Sequence, residues 1–218
     1  MQNTVVFDFD GTLVADDTGL SFYRWLLSRS PWRRILVLAA TPALLPLLSA
    51  STSRLFAVNM VCYLASAFKR ESLFTLRASF IKEHFRDDVG VFRAGIEELE
   101  QHQREGRQVL IISGSPQWLL HGVLKHLGLN DCVLIATQCR LTGTGLILRE
   151  HCFSEKKVAM ARRRGFDPKH WLIGYSDSTA DLPMLEQCQT RVVVNPSARK
   201  QRIFSSHFGT TLHIRRWH

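Results

Sequence analysis

Short apolar runs that end in polar turns alternate with helix-period segments along most of this chain. The runs are rich in β-branched and aromatic residues, which favour buried strands, and they cover positions 5–7, 109–112, 133–137, 171–175 and 192–194. Apolar positions at helical spacing separate them, over 94–104, 116–127, 154–164 and after 181. Strands that alternate with helices are typical of a parallel sheet. The pattern therefore predicts an α/β fold with a doubly wound, Rossmann-like parallel sheet.

Residues with special backbone preferences mark the ends of these elements. Ser115 suits a helix N-cap followed by Pro116 at the first helical position, and Ser154 suits a second N-cap. Pro183 predicts an early break in the helix after 181, and Thr-Gly-Thr-Gly at 142–145 predicts a hairpin turn. No element is predicted for the basic segment 197–218.

The pattern changes between residues 15 and 87. Helical spacing recurs near 20–27 and 71–86, and between these lie two nearly unbroken apolar runs of 14 residues each, 35–48 and 55–68. A bilayer crossing needs about 20 apolar residues, and runs of about 10–14 more often form buried or interfacial helices. Prolines at 42 and 46 weaken a straight crossing further. The runs favour contact with a membrane interface over a purely structural helical cap, and either over a transmembrane helix.

Charge strengthens the expectation of an interface. Residues 18–70 contain seven Lys and Arg but no Asp or Glu, and the whole chain carries a formal charge of +9 with a pI of about 9.8. Arginines beside Trp25 and Trp32 resemble an interfacial anchor, with rings and cations at headgroup level. The excess charge predicts an anionic partner: a phosphate ester, an anionic lipid or a nucleic acid. No nucleic-acid-binding module is recognisable, which disfavours the last.

Composition sets the remaining limits. The chain has 218 residues, 45% of them hydrophobic, which suits one domain with an insertion or two small domains. Five widely spaced cysteines without a CxxC pair favour a reducing compartment over a disulfide framework or a zinc site. Residues 1–4 are polar and lead straight into a strand, which argues against a secretory signal peptide.

Candidate chemistry begins where the first strand ends. Asp8 and Asp10 are two positions apart, so both side chains leave the strand in one direction. Adjacent carboxylates repel and raise one pKa unless a cation lies between them. This geometry suits Mg²⁺ together with a nucleophile and a proton shuttle, although Asp-Gly at 10–11 is also an ordinary turn sequence.

Later strands also lead into polar groups. These are Ser113, the pair Asp177 and Asp181, and Lys156 or Lys157 at the start of a helix. Ligands of doubly wound sheets bind outside the carboxyl ends of the strands, so these groups are expected to meet the two aspartates of the first strand. Each also has an ordinary interpretation as a turn serine, a helix cap or a solvated lysine. No glycine pattern for a nucleotide cofactor follows any strand.

Together these groups make up a phosphoryl-transfer site. Asp8 is expected to attack phosphorus and form an aspartyl-phosphate, and Asp10 to protonate the leaving alkoxide and then deprotonate water. Mg²⁺ held by Asp8 and Asp177 offsets the repulsion between nucleophile and phosphate. Ser113 and the lysine stabilise the phosphoryl oxygens. Asp181, one helical turn after Asp177, orients metal-bound water or the lysine.

Four motifs in order carry a family resemblance. They are Val-Phe-Asp-Phe-Asp-Gly-Thr at 6–12, Ile-Ile-Ser-Gly-Ser at 111–115, Glu-Lys-Lys-Val at 155–158 and Gly-Tyr-Ser-Asp-Ser-Thr-Ala-Asp at 174–181. In these motifs the chain resembles the haloacid dehalogenase superfamily, in particular its phosphoserine-phosphatase-like subgroup. Positions 21–27, 85–87, 113–117 and 175–178 resemble most closely the bacterial phosphatidylglycerophosphatase C group.

The resemblance implies an architecture and a site. It implies a hydrolase core over 1–14 and 88–218 and a helical C1 cap over 15–87. Asp8 would be the nucleophile, Asp10 the acid/base and, through its backbone carbonyl, a metal ligand, and Asp177 another metal ligand. Lys157 is preferred over Lys156 because the family lysine directly precedes the apolar start of its helix. Supporting residues are Thr12, Gly114 and Asp181, and the candidates for substrate contact, each with an alternative as an ordinary surface residue, are Asp17, Arg70 and Arg86.

The leading functional prediction is a Mg²⁺-dependent phosphatase. It would convert phosphatidylglycerophosphate to phosphatidylglycerol at the cytoplasmic face of a bacterial inner membrane, whose anionic surface attracts each nearby cation by about 1 kcal/mol. The alternative is a soluble phosphatase of a small metabolite such as phosphoserine or histidinol phosphate. A basic, non-catalytic binder of membranes or nucleic acid is least favoured, because no catalytic group is missing. The sequence does not predict the oligomeric state.

Overall fold

A computed structural model describes residues 3–48, 51–67 and 71–217. These residues contain seven strands and nine α-helices. The strands are β1 (Thr4–Phe7), β2 (Gln108–Pro116), β3 (Val133–Leu141), β4 (Leu146–Glu150), β5 (Trp171–Ser176), β6 (Thr190–Val194) and β7 (Leu212–Arg215). The helices are α1 (Thr18–Ser28), α2 (Pro31–Leu44), α3 (Ser51–Ser66), α4 (Leu73–His84), α5 (Arg93–Arg104), α6 (Gln117–His126), α7 (Glu155–Arg163), α8 (Leu182–Glu186) and α9 (Ala198–Phe208).

One sheet contains all seven strands in the order β4-β3-β2-β1-β5-β6-β7. Neighbouring strands are parallel, except that β3 and β4 form an antiparallel hairpin at one edge. The hairpin turn predicted at 142–145 joins these two strands. The carboxyl ends of β2, β1 and β5 therefore lie side by side at the centre of the sheet. The predicted α/β class with a mostly parallel sheet is confirmed.

The central strands are buried on both faces. In β1, Val5 and Phe7 belong to one apolar core and Val6 to the other, because successive side chains of a strand point to opposite faces. Helices α1, α4, α5 and α6 contribute to the first core, and α7, α8 and α9 to the second. Continuous apolar runs in the sequence are what a strand with two covered faces requires.

Four helices, α1 to α4, lie between β1 and α5. The first predicted apolar run coincides with α2 and a 3₁₀ turn at Pro46–Leu48, and the second with α3. Helices α2 and α3 each begin before the corresponding apolar run, and α2 continues through Pro42. Within the described residues, none of the helices combines the length and apolar character that a membrane crossing needs.

Helix α2 is apolar but exposes much of its surface. Ile35 and Leu38 are 65% and 63% exposed, and Arg34 on the same helix is exposed as well. Leu45, just after the helix, is 57% exposed. Large apolar side chains grouped in this way commonly mark a contact surface rather than ordinary solvent exposure.

Two local predictions are wrong, and a third is confirmed only in position. Strand β2 continues through Pro116 and α6 begins at Gln117, so Ser115 is not an N-cap. Ser154 occupies the predicted N-cap position of α7, but it takes a φ of 52° and makes no side-chain hydrogen bond to the helix. Pro183 lies in the first turn of α8, where the missing N–H costs nothing, so it begins a helix instead of breaking one.

The segment after β6 forms α9 and β7, although the sequence predicts no element there. Strand β7 extends the sheet beside β6. The carboxamide of Asn195 donates to Trp217 O at 3.0 Å and accepts from Trp217 N–H at 2.8 Å. The Trp217 ring is buried in the first apolar core. The basic C-terminal segment is thus an integral part of the sheet.

Candidate active site

The turn after β1 presents the two predicted carboxylates at the centre of the sheet edge. Asp8 still pairs with β5, since its N–H donates to Tyr175 O at 2.9 Å. The chain then turns back, and Gly11 takes a φ of +78°, a conformation that favours glycine. Asp8 is 4% exposed and Asp10 is half-buried, so both carboxyl groups are largely shielded from bulk solvent.

Lys157 lies between two buried carboxylates. Its Nζ donates to Asp8 Oδ1 at 2.6 Å and to Asp181 Oδ2 at 2.9 Å. Ser176 Oγ donates to the same Asp181 oxygen at 2.7 Å and fixes that carboxylate behind the lysine. Lys156 is exposed, so the structure places Lys157, and not its neighbour, at the site. Of the two predicted tasks of Asp181, contact with the lysine is the one seen.

Burial and charge act in opposite directions on this cluster. Burial alone lowers the pKa of Lys157, but attraction to Asp8 and Asp181 outweighs burial and raises that pKa above its ordinary value. Burial raises the pKa of Asp8, and the Lys157 ammonium opposes this rise. The net pKa of Asp8 stays well above its ordinary value, and Lys157 favours the carboxylate form, which a nucleophile needs, against this effect of burial.

Three donors hold the carboxylate of Asp10. Ser113 Oγ and Ser115 Oγ donate to Oδ2 at 2.8 and 2.7 Å, and Thr18 N–H, at the start of α1, donates to Oδ1 at 2.7 Å. Ser115 Oγ also accepts from Gly19 N–H at 2.9 Å. Burial raises the pKa of Asp10, although the bonds from Thr18 and Ser115 lower it. A raised pKa suits a carboxyl that must give up a proton.

Sequence reasoning missed two of these three donors. It assigned Ser115 to a helix cap and gave Thr18 no part in the site. The spacing Ser-x-Ser at the end of a buried strand was an available signal, because side chains two positions apart share a face. Ser113 was expected to hold the phosphoryl oxygens, and the structure places its hydroxyl on Asp10.

Asp177 follows β5 and lies against the turn after β1. Its N–H donates to Thr12 Oγ1 at 3.0 Å, and that hydroxyl donates to Asp8 Oδ2 at 3.3 Å. Thr12 thus bridges the two aspartates predicted to bind metal. A Cβ at Gly11 would lie only 2.5 Å from Asp177 Oδ1, so the glycine also makes room for this carboxylate. Lys200 of α9 donates to Asp177 Oδ2 at 2.6 Å.

The donor set suits Mg²⁺. Among the described residues, no three His, Cys, Asp or Glu side chains are grouped as metal ligands. Mg²⁺, however, usually keeps several waters and takes only one or two carboxylates in addition to the phosphate of its substrate. Asp8 and Asp177, bridged by Thr12 and given room by Gly11, meet this requirement with oxygen donors alone.

A cavity of about 620 Å³ adjoins these groups. Its charged lining consists of Asp8, Asp10, Asp17, Lys157, Asp177 and Asp181. Its apolar lining includes Leu20 of α1, Val58 and Val61 of α3 and Leu148 of β4, together with Pro116 and Phe153. Its volume falls within the range of about 300–1,000 Å³ that is usual for ligand pockets. The cavity therefore joins a polar reaction centre to an apolar chamber.

The remaining predicted residues are only partly at the site. Gly114 lines the cavity, and its carbonyl accepts from Thr137 Oγ1 at 2.5 Å. Asp17 also lines it, while its carboxylate caps α1 by accepting from Leu20 N–H at 2.8 Å. Arg86 is exposed and is not among the residues that line the cavity. Arg70 lies outside the described residues.

Comparison with known sequences identifies a family for this chain. The model of the haloacid dehalogenase-like hydrolases matches residues 5–186. The chain is 30% identical over 203 residues to phosphoserine phosphatase SerB1 of Mycobacterium tuberculosis, which is 88% of this chain and 65% of that protein. The chain spans about two thirds of the length of the first curated relatives that it matches.

Two solved structures are similar in fold. One is a protein of unknown function from Bordetella pertussis Tohama I, with a TM-score of 0.70 and 19% identity over 98% of this chain and 99% of that one. The other is a phosphoserine phosphohydrolase-like protein from Francisella tularensis, with a TM-score of 0.64 and 17% identity over 99% and 95% of the two chains. At these identities the likeness concerns the fold alone.

Proposed function

The chain belongs to the haloacid dehalogenase-like hydrolase family, and on that premise we propose that it hydrolyses phosphomonoesters through an aspartyl-phosphate formed on Asp8. The match confirms the predicted hydrolase class. The observation that carries the proposal is the buried Asp8–Lys157–Asp181 arrangement beside an Asp10 with three donors. Burial raises the pKa of both aspartates, but the Lys157 ammonium favours the carboxylate form of Asp8 alone, and the two roles need that difference in partners.

In the first half-reaction, a carboxylate oxygen of Asp8 attacks phosphorus. A bond forms between that oxygen and phosphorus, and the bond from phosphorus to the ester oxygen breaks. Asp10 gives its proton to the departing alkoxide. The hydroxyls of Ser113 and Ser115 can rotate from donating to accepting as Asp10 changes charge. Lys157 balances the charge on Asp8 before the attack, and in the intermediate its ammonium would stabilise the charge on the phosphoryl oxygens.

In the second half-reaction, Asp10 acts as a base. It takes a proton from a water molecule whose oxygen attacks phosphorus, and the bond from phosphorus to Asp8 breaks. Inorganic phosphate leaves and both aspartates return to their starting state. Asp8, Asp177 and the backbone carbonyl of Asp10 are the proposed ligands of Mg²⁺, which supplies charge neutralisation on the phosphate when bound.

Phosphatidylglycerophosphate is the substrate that we propose first. We assign residues 15–87 to the cap and residues 1–14 and 88–218 to the core, so that the apolar lining from α1 and α3 belongs to the cap. A leaving group with long acyl chains matches a chamber lined by Leu20, Val58 and Val61. Its glycerol phosphate would extend toward the carboxylates and Lys157.

A lipid substrate requires contact with its membrane. We propose that α2 supplies this contact, with exposed Ile35 and Leu38 entering the headgroup boundary beside exposed Arg34. An anionic surface is the complementary partner, because residues 18–70 contain no acidic side chain to oppose their seven cations. The proposed location is the cytoplasmic face of the bacterial inner membrane.

A small soluble phosphomonoester is the second candidate, because the relative SerB1 is named as a phosphoserine phosphatase. Phosphoserine or histidinol phosphate would need polar contacts for its amino group. Asp17 is the carboxylate of the cavity that is not part of the proposed reaction centre and could make such a contact. On this alternative, the apolar lining belongs only to the packing of the cap.

Trapping of the covalent intermediate tests the mechanism. Wild type mixed with a ³²P-labelled phosphomonoester and quenched in acid should retain label that hydroxylamine releases, whereas Asp8→Asn should retain none and lose activity by more than about 10³-fold. Lys156→Met, at an exposed neighbour of Lys157, is the control and should label normally. Full activity in Asp8→Asn would overturn the role given to Asp8 in both enzyme candidates, whereas no turnover of any phosphomonoester by wild type would favour a non-catalytic basic binder.

A substrate panel separates the two candidates. Phosphatidylglycerophosphate in mixed vesicles, phosphoserine, histidinol phosphate and p-nitrophenyl phosphate are compared at equal concentration with Mg²⁺ and with EDTA. The proposal expects the highest kcat/KM on the lipid and loss of all turnover in EDTA. A higher kcat/KM on either soluble metabolite would exclude the lipid assignment, and turnover in EDTA would exclude the metal.

A further inference from the structure

Lys200 reaches the site from outside the residues that the family model matches. Its Nζ donates to Asp177 Oδ2 at 2.6 Å, whereas the match ends at residue 186. The Lys200 side chain is 39% exposed and that of Asp177 is 18% exposed, so the pair lies at the border of the cavity. The contact is therefore a feature of this chain's C-terminal segment and not of the four motifs.

The position of Lys200 is set by the backbone around it. Ser197 caps α9 by accepting from Lys200 N–H at 3.3 Å. Before the helix, Asn195 takes a φ of 44° and is tied to Trp217 by two hydrogen bonds. Because Trp217 is buried, these bonds fix the start of α9 relative to the sheet. Lys200 is thus aimed at Asp177 by the packing of the segment.

Asp177 is also the carboxylate that the proposed function assigns to Mg²⁺. Its Oδ1 lies against Gly11, and its N–H is bonded to the Thr12 hydroxyl that contacts Asp8. An ammonium on Oδ2 neutralises part of the charge that attracts a divalent cation. It also brings a positive charge next to the position the cation would take, and like charges repel.

We propose that Lys200 competes with the divalent cation for Asp177 and so sets the affinity of the metal site. Without metal, Lys200 stabilises the protein by compensating Asp177, which would otherwise share Lys157 with Asp8 and Asp181 as the cation among the described residues that line the cavity. With metal, the ammonium must give up part of this interaction. The inference rests on the proposed function, because it takes Asp177 as a metal ligand.

Lys200 is expected to weaken Mg²⁺ binding but to stabilise the metal-free protein, and these opposite effects can be measured separately. Removal of the Lys200 charge should tighten Mg²⁺ binding by about fivefold, the scale of one partly exposed charge pair. The same change should lower the melting temperature in EDTA. A side chain that only packs would lower the melting temperature and leave the affinity unchanged.

Calorimetric titration of Mg²⁺ into the full chain, without substrate, is the test. Lys200→Met and Lys200→Gln should bind Mg²⁺ more tightly than wild type, and Lys200→Arg should bind about as wild type does. Arg199→Met is the matched control, because exposed Arg199 lies in the same helical turn and carries the same charge. It should change neither the affinity nor the melting temperature in EDTA.

Each result has a definite meaning. Unchanged or weaker Mg²⁺ binding in both Lys200→Met and Lys200→Gln would overturn the competition. Equal tightening in Arg199→Met would overturn it as well, because general charge would then be the cause. Mg²⁺ binding that is absent in wild type, or that survives in Asp177→Asn, would instead count against the proposed metal site itself.

Discussion

At the scale of single residues, Asp8 and Asp10 lie in the same short turn but have different hydrogen-bond partners. Asp8 contacts a buried ammonium, whereas Asp10 contacts two hydroxyls and one backbone N–H. An ammonium favours the ionised form of its partner. Hydroxyls can donate or accept, and so tolerate either form. The division of labour proposed for nucleophile and acid/base follows from this difference in partners.

Gly11 gives the first prediction at this scale. Gly11→Ala should cost about 1–2 kcal/mol for its left-handed backbone and should also displace Asp177, whose carboxylate lies 2.5 Å from the added Cβ. Misplacement by about 1 Å can cost roughly 10²-fold in rate. We expect kcat to fall by about that factor, measured by steady-state turnover together with thermal unfolding.

A second glycine provides the control for Gly11. Gly128 has a φ of +76° and nothing within 4 Å of an added Cβ, so Gly128→Ala should show the backbone cost without the clash. The free energy of unfolding of Gly128→Ala should fall by about the same backbone cost, while its kcat stays near the wild-type value. Equal losses of kcat in both variants would contradict the role given to the space beside Asp177.

At the scale of elements, the start of α1 couples the segment after β1 to the acid/base. Thr18 N–H donates to Asp10 and Gly19 N–H donates to Ser115. Two backbone N–H groups in the first turn of α1 thus make hydrogen bonds to side chains of the reaction centre. Helix N-termini carry unpaired N–H groups and a partial positive charge. A carboxylate and a hydroxyl satisfy them here. Displacement of α1 would therefore change the environment of Asp10.

Ser115→Ala tests this coupling. It removes the bonds to Asp10 and from Gly19 N–H, and should lower stability by about 1–2 kcal/mol and kcat by about tenfold. Ser72→Ala is the control, since Ser72 caps α4 by accepting from Thr75 N–H at 3.1 Å. Ser72→Ala should lower the free energy of unfolding by a similar amount and leave kcat unchanged. Urea unfolding and steady-state kinetics measure both, and a full kcat in Ser115→Ala would argue against the coupling.

At the scale of the whole molecule, charge and apolar exposure are distributed unevenly. Five acidic side chains line the cavity at the centre of the sheet edge, whereas all charged residues within 18–70 are cations. Exposed apolar side chains of α2 belong to the same cationic segment. This distribution gives the molecule one surface that suits an anionic interface and one cavity that suits a phosphate ester held by Mg²⁺.

Vesicle binding tests the proposed surface. Ile35→Glu with Leu38→Glu should reduce sedimentation with vesicles rich in phosphatidylglycerol by tenfold or more, because burial of each large apolar side chain contributes about 1.5–3 kcal/mol when complete. Val89→Glu, at a position that is 69% exposed outside α2, is the control and should bind like wild type. Equal binding by all three proteins would exclude α2 as the contact.

A buried histidine beneath the sheet predicts how global stability depends on pH. Arg107 donates to His102 Nδ1 at 2.6 Å, so the ring proton lies on Nε2, which faces Tyr175 Oη at 2.9 Å. Burial lowers the pKa of His102, and Arg107 lowers it further. The unfolded chain therefore binds this proton more readily. The stability contribution is complete above the ordinary pKa of 6.5 and is lost as the pH falls through that value.

His102→Gln should accordingly flatten the decline of stability on acidification. We expect a smaller loss of unfolding free energy between pH 7 and pH 5 than in wild type, measured by urea titration at several pH values. His170→Gln, at an exposed histidine, should leave the decline unchanged. A decline in His102→Gln as steep as in wild type would show that other groups dominate acid sensitivity.

The sequence by itself determined the sheet, apart from β7, and the identity of the central acids. Strand and helix periodicities are properties of contiguous residues, so they could be recognised without long-range contacts. The aspartates at 8, 10 and 177 could be found for a similar reason, since each directly follows or closely follows a strand and parallel strands end at one edge. Turn and cap chemistry was less predictable, as Ser115, Ser154 and Pro183 show.

Only the tertiary structure decided which groups touch. The sequence already favoured Lys157 over Lys156, but the contact of Lys157 with Asp8, the contact of Ser115 with Asp10 and the approach of Lys200 to Asp177 join residues 23 to 149 positions apart in the chain. Neither local propensity nor motif spacing specifies such contacts, because they depend on how whole elements pack and which side chains that packing buries. The C-terminal segment shows this most clearly: its basic sequence indicated no element, and its packing brings Lys200 to the proposed metal ligand.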